Sequence, residues 1–176
     1  MSNTKEFNTR KMVINSILLA IGVILRYFTP ASIGIQMDLS LAMLFIIIVT
    51  NDDYKTVLIS GIIAGIFAAL TSKTPNGQIP SIVDKIVTSH ILFFILMPLR
   101  NKITEKFQII LLMFFGTILS GSIFILVLSV ISGLTKTFGA MFIAVVIPTA
   151  IANSIIGFLL YGIVKTSLRR LNMSLT

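Results

Sequence analysis

The chain has 176 residues, of which 56% are apolar and 11% charged, with a mean hydropathy of +1.02 and a net charge of +8. A typical soluble domain carries about 25% charged residues, so this chain has too few to cover a water-facing surface, and its hydrophobicity excludes a disordered chain. An integral membrane protein remains.

Charged residues punctuate the sequence and predict an all-α bundle of six transmembrane helices, over residues 12–29, 38–50, 56–72, 81–99, 107–131 and 138–164. A spanning helix takes about 20 residues, so six of them with short connections use nearly the whole chain. One compact membrane domain over 1–176 is expected, with no room for a soluble one. The uncharged stretches of the second and fourth helices are short unless their flanking charges lie within the membrane or at its edge. The first apolar run lacks a small-residue cleavage site and leads into Arg26 and Pro30; it is not expected to be a secretory signal.

Orientation follows from Lys and Arg near the span ends. Lys5, Arg10, Lys11, Lys55, Arg100, Lys102, Lys106, Lys165, Arg169 and Arg170 fall on one side, and Arg26, Lys73, Lys85 and Lys136 on the other. Both termini are therefore expected in the cytoplasm. Helices two, four and six then begin at the outer face, with their partial positive ends toward an arriving solute. The net positive charge reads as cationic loops facing anionic lipid rather than nucleic acid, because no basic run is interleaved with aromatics.

The outer connections are nearly uncharged. The first carries Pro30 and Gly34, and the second reads TSKTPNGQIP over residues 71–80. Pro75-Asn76-Gly77 has turn chemistry, since proline presets φ and Asn-Gly tolerates positive φ. Such loops beside helix N-termini suit either a binding surface or plain turn-making.

Only six acids are present. Glu6, Asp52, Asp53 and Glu105 fall in cytoplasmic segments, which leaves Asp38 and Asp84 at the outer ends of helices two and four. Ionisable groups at membrane depth are costly and mark functional candidates. Each also has a structural explanation: Asp38 as the N-cap of helix two, and Ser81-x-x-Asp84 as a capping box after Pro80. Asp84 and Lys85 are adjacent, so on a helix they point about 100° apart and are not expected to face each other. They suit the two ends of a zwitterion, or Asp84 suits Arg26. Thr88 shares the Asp84 face, and Gln78, which donates and accepts, lies just upstream. Asn153 is a lone amide in helix six that needs a helix partner or a ligand.

Other chemistry is poorly supplied. His90, the single histidine, with two available acids makes no convincing metal site; packing or a helix–helix hydrogen bond is expected of it. There is no cysteine, which excludes disulfides and thiolate sites, and no phosphate-cradling GxxxxGK[ST] loop. No catalytic residue and no cofactor is expected. Small residues let helices approach in lipid: Ser16 and Ala20 on helix one, Gly61 and Gly65 on helix three, Gly116 and Ser120 on helix five.

The stretch Pro75-Asn76-Gly77-Gln78-Ile79-Pro80-Ser81-Ile82-Val83-Asp84-Lys85 resembles the signature of the bacterial tryptophan-transport membrane protein family, and Met37-Asp38-Leu39-Ser40-Leu41-Ala42-Met43 matches its second-helix opening. That family is similar to the substrate-binding S components of energy-coupling factor (ECF) transporters. The resemblance implies a six-helix plasma-membrane protein that captures tryptophan at the outer face and associates with a membrane coupling subunit and two cytoplasmic ATPases. S components often carry Ala-x-x-x-Ala on the first helix for docking that subunit; here the nearest match is Ser16-x-x-x-Ala20.

For such a ligand the carboxylate calls for a cation or a helix N-terminus, as at Lys85 or Arg26. The ammonium calls for Asp84, Asp38 or Gln78. The indole calls for an aromatic slot and one acceptor, with Tyr27, Phe28, Phe67, Phe138 and Phe142 as aromatic candidates and Asn153 as the acceptor. The alternatives are an S component for a vitamin such as thiamine or biotin, a solo ion-coupled carrier, and an intramembrane enzyme built on His90 and Asp84.

Overall fold

The computed structural model describes residues 9–29, 31–32, 35–36, 38–133 and 138–170. Lys5, Glu6, Pro30, Gly34, Met37 and Lys136, all used in the sequence reading, lie outside the described residues.

In lipid a backbone must satisfy its own polar groups, and this apolar chain forms helices. They are α1 (Thr9–Phe28), α2 (Ser40–Thr50), α3 (Tyr54–Leu70), α4 (Gln78–Leu96), α5 (Glu105–Ser132) and α6 (138–170). A minimal antiparallel pairing of β1 (Ala31–Ser32) with β2 (Ile35–Gln36) lies between α1 and α2. Four helices, α1, α4, α5 and α6, are long and apolar enough to cross a membrane, while α2 and α3 are shorter.

α2 has 11 residues, which at 1.5 Å each cover roughly 16 Å, about half of a hydrocarbon core of roughly 30 Å. Its residues Leu41 to Thr50 are all buried, as expected of a helix that is apolar on every side. α1, α3, α4, α5 and α6 all contact it. Leu92 of α4 and Met113 of α5 are among the residues that close the core around it.

α3 and α4 pack against each other through small residues. A Cβ on Gly61 would lie 2.2 Å from Ser89 Oγ and 3.2 Å from the Lys85 carbonyl oxygen, and one on Gly65 would lie 3.1 Å from Ile82 Cα. The connection between these helices is a tight turn. Asn76 takes the positive φ, 57°, while Gly77 has φ −80°. Gly77 is needed there for space, since a Cβ would meet Ser72 Oγ at 2.6 Å and Thr74 O at 2.9 Å. Lys73 ties this turn to the end of α1, donating to the carbonyls of Tyr27 at 2.6 Å and Thr29 at 3.1 Å.

Polar clamps hold the opposite end. Asp53 caps α3 by accepting from Thr56 N at 3.0 Å. The Arg100 guanidinium donates to the carbonyls of Ile48 at 2.8 Å and Asn51 at 2.7 Å, and pairs with Asp52. It thereby satisfies carbonyls that the end of α2 leaves without intrahelical partners. Glu105 joins α5 to α6 through Tyr161 and Lys165. α5 and α6 each contain one π turn, Leu112–Gly116 and Phe142–Val146, a distortion that recurs at functional sites.

Candidate functional site

Four ionisable side chains meet where α1 ends and α2 and α4 begin. Arg26 Nη1 stands 2.8 Å from Asp38 Oδ2, and Lys85 Nζ stands 2.5 Å from the same oxygen. Lys85 Nζ is also 2.5 Å from Asp84 Oδ2. Arg26, Asp84 and Lys85 are buried. Two cations and two anions share one site, so the cluster is neutral as a whole. Burying isolated charges costs several kcal/mol per ion, and only close pairing with further hydrogen bonds repays that cost.

Those further bonds are present. Thr88 Oγ1 donates to Asp84 Oδ1 at 3.1 Å. Ser40 donates to Asp38 Oδ1 through its backbone N at 3.0 Å and through its hydroxyl. Arg26 Nη2 reaches Ser81 Oγ at 3.5 Å. Asn153 Nδ2 donates to the Asp38 carbonyl at 3.0 Å and to Thr117 Oγ1 at 3.1 Å.

Four sequence expectations about these residues need correction. Adjacent positions on a helix do diverge, yet Lys85 meets Asp84, because its four-carbon stem reaches back to the neighbouring carboxylate. Arg26 pairs with Asp38 rather than with Asp84. Ser81 and Asp84 do not form a capping box, because α4 begins at Gln78, which puts both inside the first two turns. Pro80 is then the third residue of the helix, where its missing N–H has no intrahelical acceptor to lose. Asp38 stands one residue before the N-cap of α2, which is Leu39; it accepts from Ser40 N and carries the ion pairs as well.

A recess opens beside the cluster. Arg26, Asp38 and Asp84 line one side, Thr117, Ser120, Gly121 and Phe124 of α5 the next, and Val145, Val146 and Thr149 of α6 the last. The cavity volume is about 40 Å³, enough for roughly three waters at about 10–15 Å³ each. An indole needs more, so binding one requires the walls to part. The π turn of α6 supplies Val145 and Val146 to this wall, and Gly121 keeps α5 close to it, since a Cβ there would lie 2.9 Å from the Val146 side chain.

Other sequence candidates lie elsewhere. Gln78 is exposed at the start of α4. Phe28 is 77% exposed and Tyr27 61%, while Phe142 stacks on Phe138 with centroids 6.2 Å apart. The recess instead takes Phe124 as its aromatic residue. His90 bonds the Tyr54 hydroxyl at 2.7 Å, joining α4 to α3 outside the recess. Ser16 and Ala20 sit on the exposed face of α1.

Sequence reasoning did not single out Thr117, Gly121, Phe124 or Thr149 for the site. The signal was available. Thr117, Ser120, Gly121 and Phe124 follow the i, i+3, i+4, i+7 spacing of one helix face, and Thr149 and Asn153 are one turn apart on α6.

Comparison with known proteins places the chain among tryptophan transporters. A family model described as "Tryptophan transporter TrpP" matches residues 8–169. A probable tryptophan transport protein of Clostridium acetobutylicum is 46% identical over 165 residues, covering 93% of this chain and 96% of the relative. Proteins of the same description from Clostridium perfringens and Bacillus subtilis are 43% and 40% identical, covering 94% and 92% of this chain and 97% and 94% of theirs. No solved structure matches. With the family model spanning nearly the whole chain and three relatives aligned almost end to end, the protein belongs to the tryptophan transporter family.

Proposed function

We propose that this protein is the substrate-binding S component of an ECF-type uptake transporter, a single six-helix domain of the plasma membrane with cytoplasmic termini. It captures tryptophan at the outer face, and partner ATPases acting through a coupling subunit drive import. Family membership supports the substrate. The buried four-charge cluster beside the recess is the observation that carries the site, with Asp38, Asp84, Lys85, Thr88 and Asn153 at its heart.

The cluster's neutrality favours an amino acid. A zwitterion brings one charge of each sign. Its carboxylate takes over Arg26 or Lys85 as a charge-assisted partner, and its ammonium takes the carboxylate so released. Every charge stays paired and no net charge is buried. A thiamine cation or a biotin anion would leave one ion uncompensated in the same place, at a cost of several kcal/mol.

Titration of tryptophan into the purified protein tests the reading through the ligand's indole fluorescence, which is unobscured because the chain has no tryptophan. Saturable binding at micromolar ligand is expected. Silence toward tryptophan with binding of a vitamin instead would transfer the protein to another S-component branch.

A further inference from the structure

The buried amide of Asn153 has one end fully used and the other not used at all. Its orientation is set by its partners. The Asp38 carbonyl, 3.0 Å away, only accepts, so the amide nitrogen must face it. Thr117 Oγ1 spends its proton on the Met113 carbonyl at 2.6 Å and receives the second N–H of Asn153 at 3.1 Å. Turning the amide over would set oxygen against oxygen at both contacts. Oδ1 therefore points away from both, in a residue with 0% exposure, and it takes no hydrogen bond among the described residues. Buried polar groups are overwhelmingly paired, and an orphan calls for an explanation.

The position supplies one. Both partners of the amide line the recess, as does Thr149 one turn earlier on α6. Asn153 thus stands immediately behind the wall that has to part for a ligand larger than water. Its unused acceptor lies there, and the bond from the amide nitrogen to the Asp38 carbonyl ties it to the charge cluster.

Building on the tryptophan-capture reading, we propose that Asn153 Oδ1 accepts the indole N–H of the bound ligand and makes that N–H a condition of tight binding. A site built to pair one donor rejects analogues that lack it, because its own polar group is then left buried and unpaired. Phenylalanine, with no ring donor, is excluded by the same means.

The test uses ligand pairs, so that the protein's folding is not at stake. L-tryptophan and 3-benzothienyl-L-alanine have the same bicyclic shape, with sulfur in place of the N–H. Calorimetric titration of the purified wild-type protein should show tryptophan binding at least tenfold tighter. In Asn153→Leu the two affinities should come within threefold of each other. Equal binding of the pair by the wild-type protein overturns the inference, whether or not the variant folds. So does a folded Asn153→Leu protein that keeps the full preference, which would assign the orphan oxygen to a water. Absence of any tryptophan binding by the wild-type protein would instead sink the capture reading itself, a result distinguishable from the other two.

Discussion

At the scale of single residues, Lys85 is the hinge of the charge cluster. Its ammonium is shared between Asp38 and Asp84, while Arg26 holds Asp38 from the other side. Removing one member of a buried pair leaves its partner uncompensated, at about 3–5 kcal/mol, whereas replacing the whole pair by apolar groups is often neutral. Lys85→Met should therefore destabilise the protein severely, and Asp84→Asn in the same chain should recover most of the loss. Unfolding in detergent measures both, and strictly additive losses would show that the two side chains are not coupled. Asp84→Asn alone and Lys85→Ala alone should each weaken tryptophan binding at least tenfold, about 1.4 kcal/mol. Lower thermal stability with unchanged affinity would reduce the cluster to a structural tie between helices.

At the scale of elements, the α3–α4 contact sets where Asp84 and Lys85 stand. Gly61 faces Ser89 and the Lys85 carbonyl, and no side chain fits between them. Gly61→Ala should push the helices apart, cost about 1–3 kcal/mol as overpacking does, and lower tryptophan affinity by shifting α4. Gly162→Ala is the control, because nothing lies within 4 Å of a Cβ there. Equal behaviour of the two variants in unfolding and binding would mean that α3 does not position α4. The π turns act at the same scale, since α6 meets the recess through the irregular segment Phe142–Val146.

At the scale of the whole molecule, the proposed S-component role separates binding from transport. Ser16 and Ala20 lie on the exposed face of α1, away from the charge cluster, and small residues on such a face admit close approach of another helix. Ala20→Phe should leave tryptophan binding by the purified protein unchanged and abolish uptake into cells. Uptake that survives both this substitution and ATP depletion would favour a self-sufficient, gradient-driven carrier.

The sequence by itself determined the membrane class, the helical state of the chain, the family and the residues worth suspecting. Each of these rests on a local or additive property. Hydropathy sums along a segment, backbone groups in lipid must pair within their own helix, and with six acids in the whole chain any acid at membrane depth stands out. The same locality made the Thr88 bond to Asp84 legible, one helical turn apart. Only the tertiary structure decided who pairs with whom. Arg26 and Asp38 come from different sides of a connection, and Lys85 from a third element, so their meeting depends on how three helix ends converge. Hydropathy did not distinguish α2, buried on every side, from helices that face lipid, because lipid and protein core are equally apolar. The polar stripe of α5 was visible as a periodicity, but a period names a face and not its neighbour. The orphaned oxygen of Asn153 is likewise a property of two bonds made across the bundle, and no stretch of α6 alone contains it.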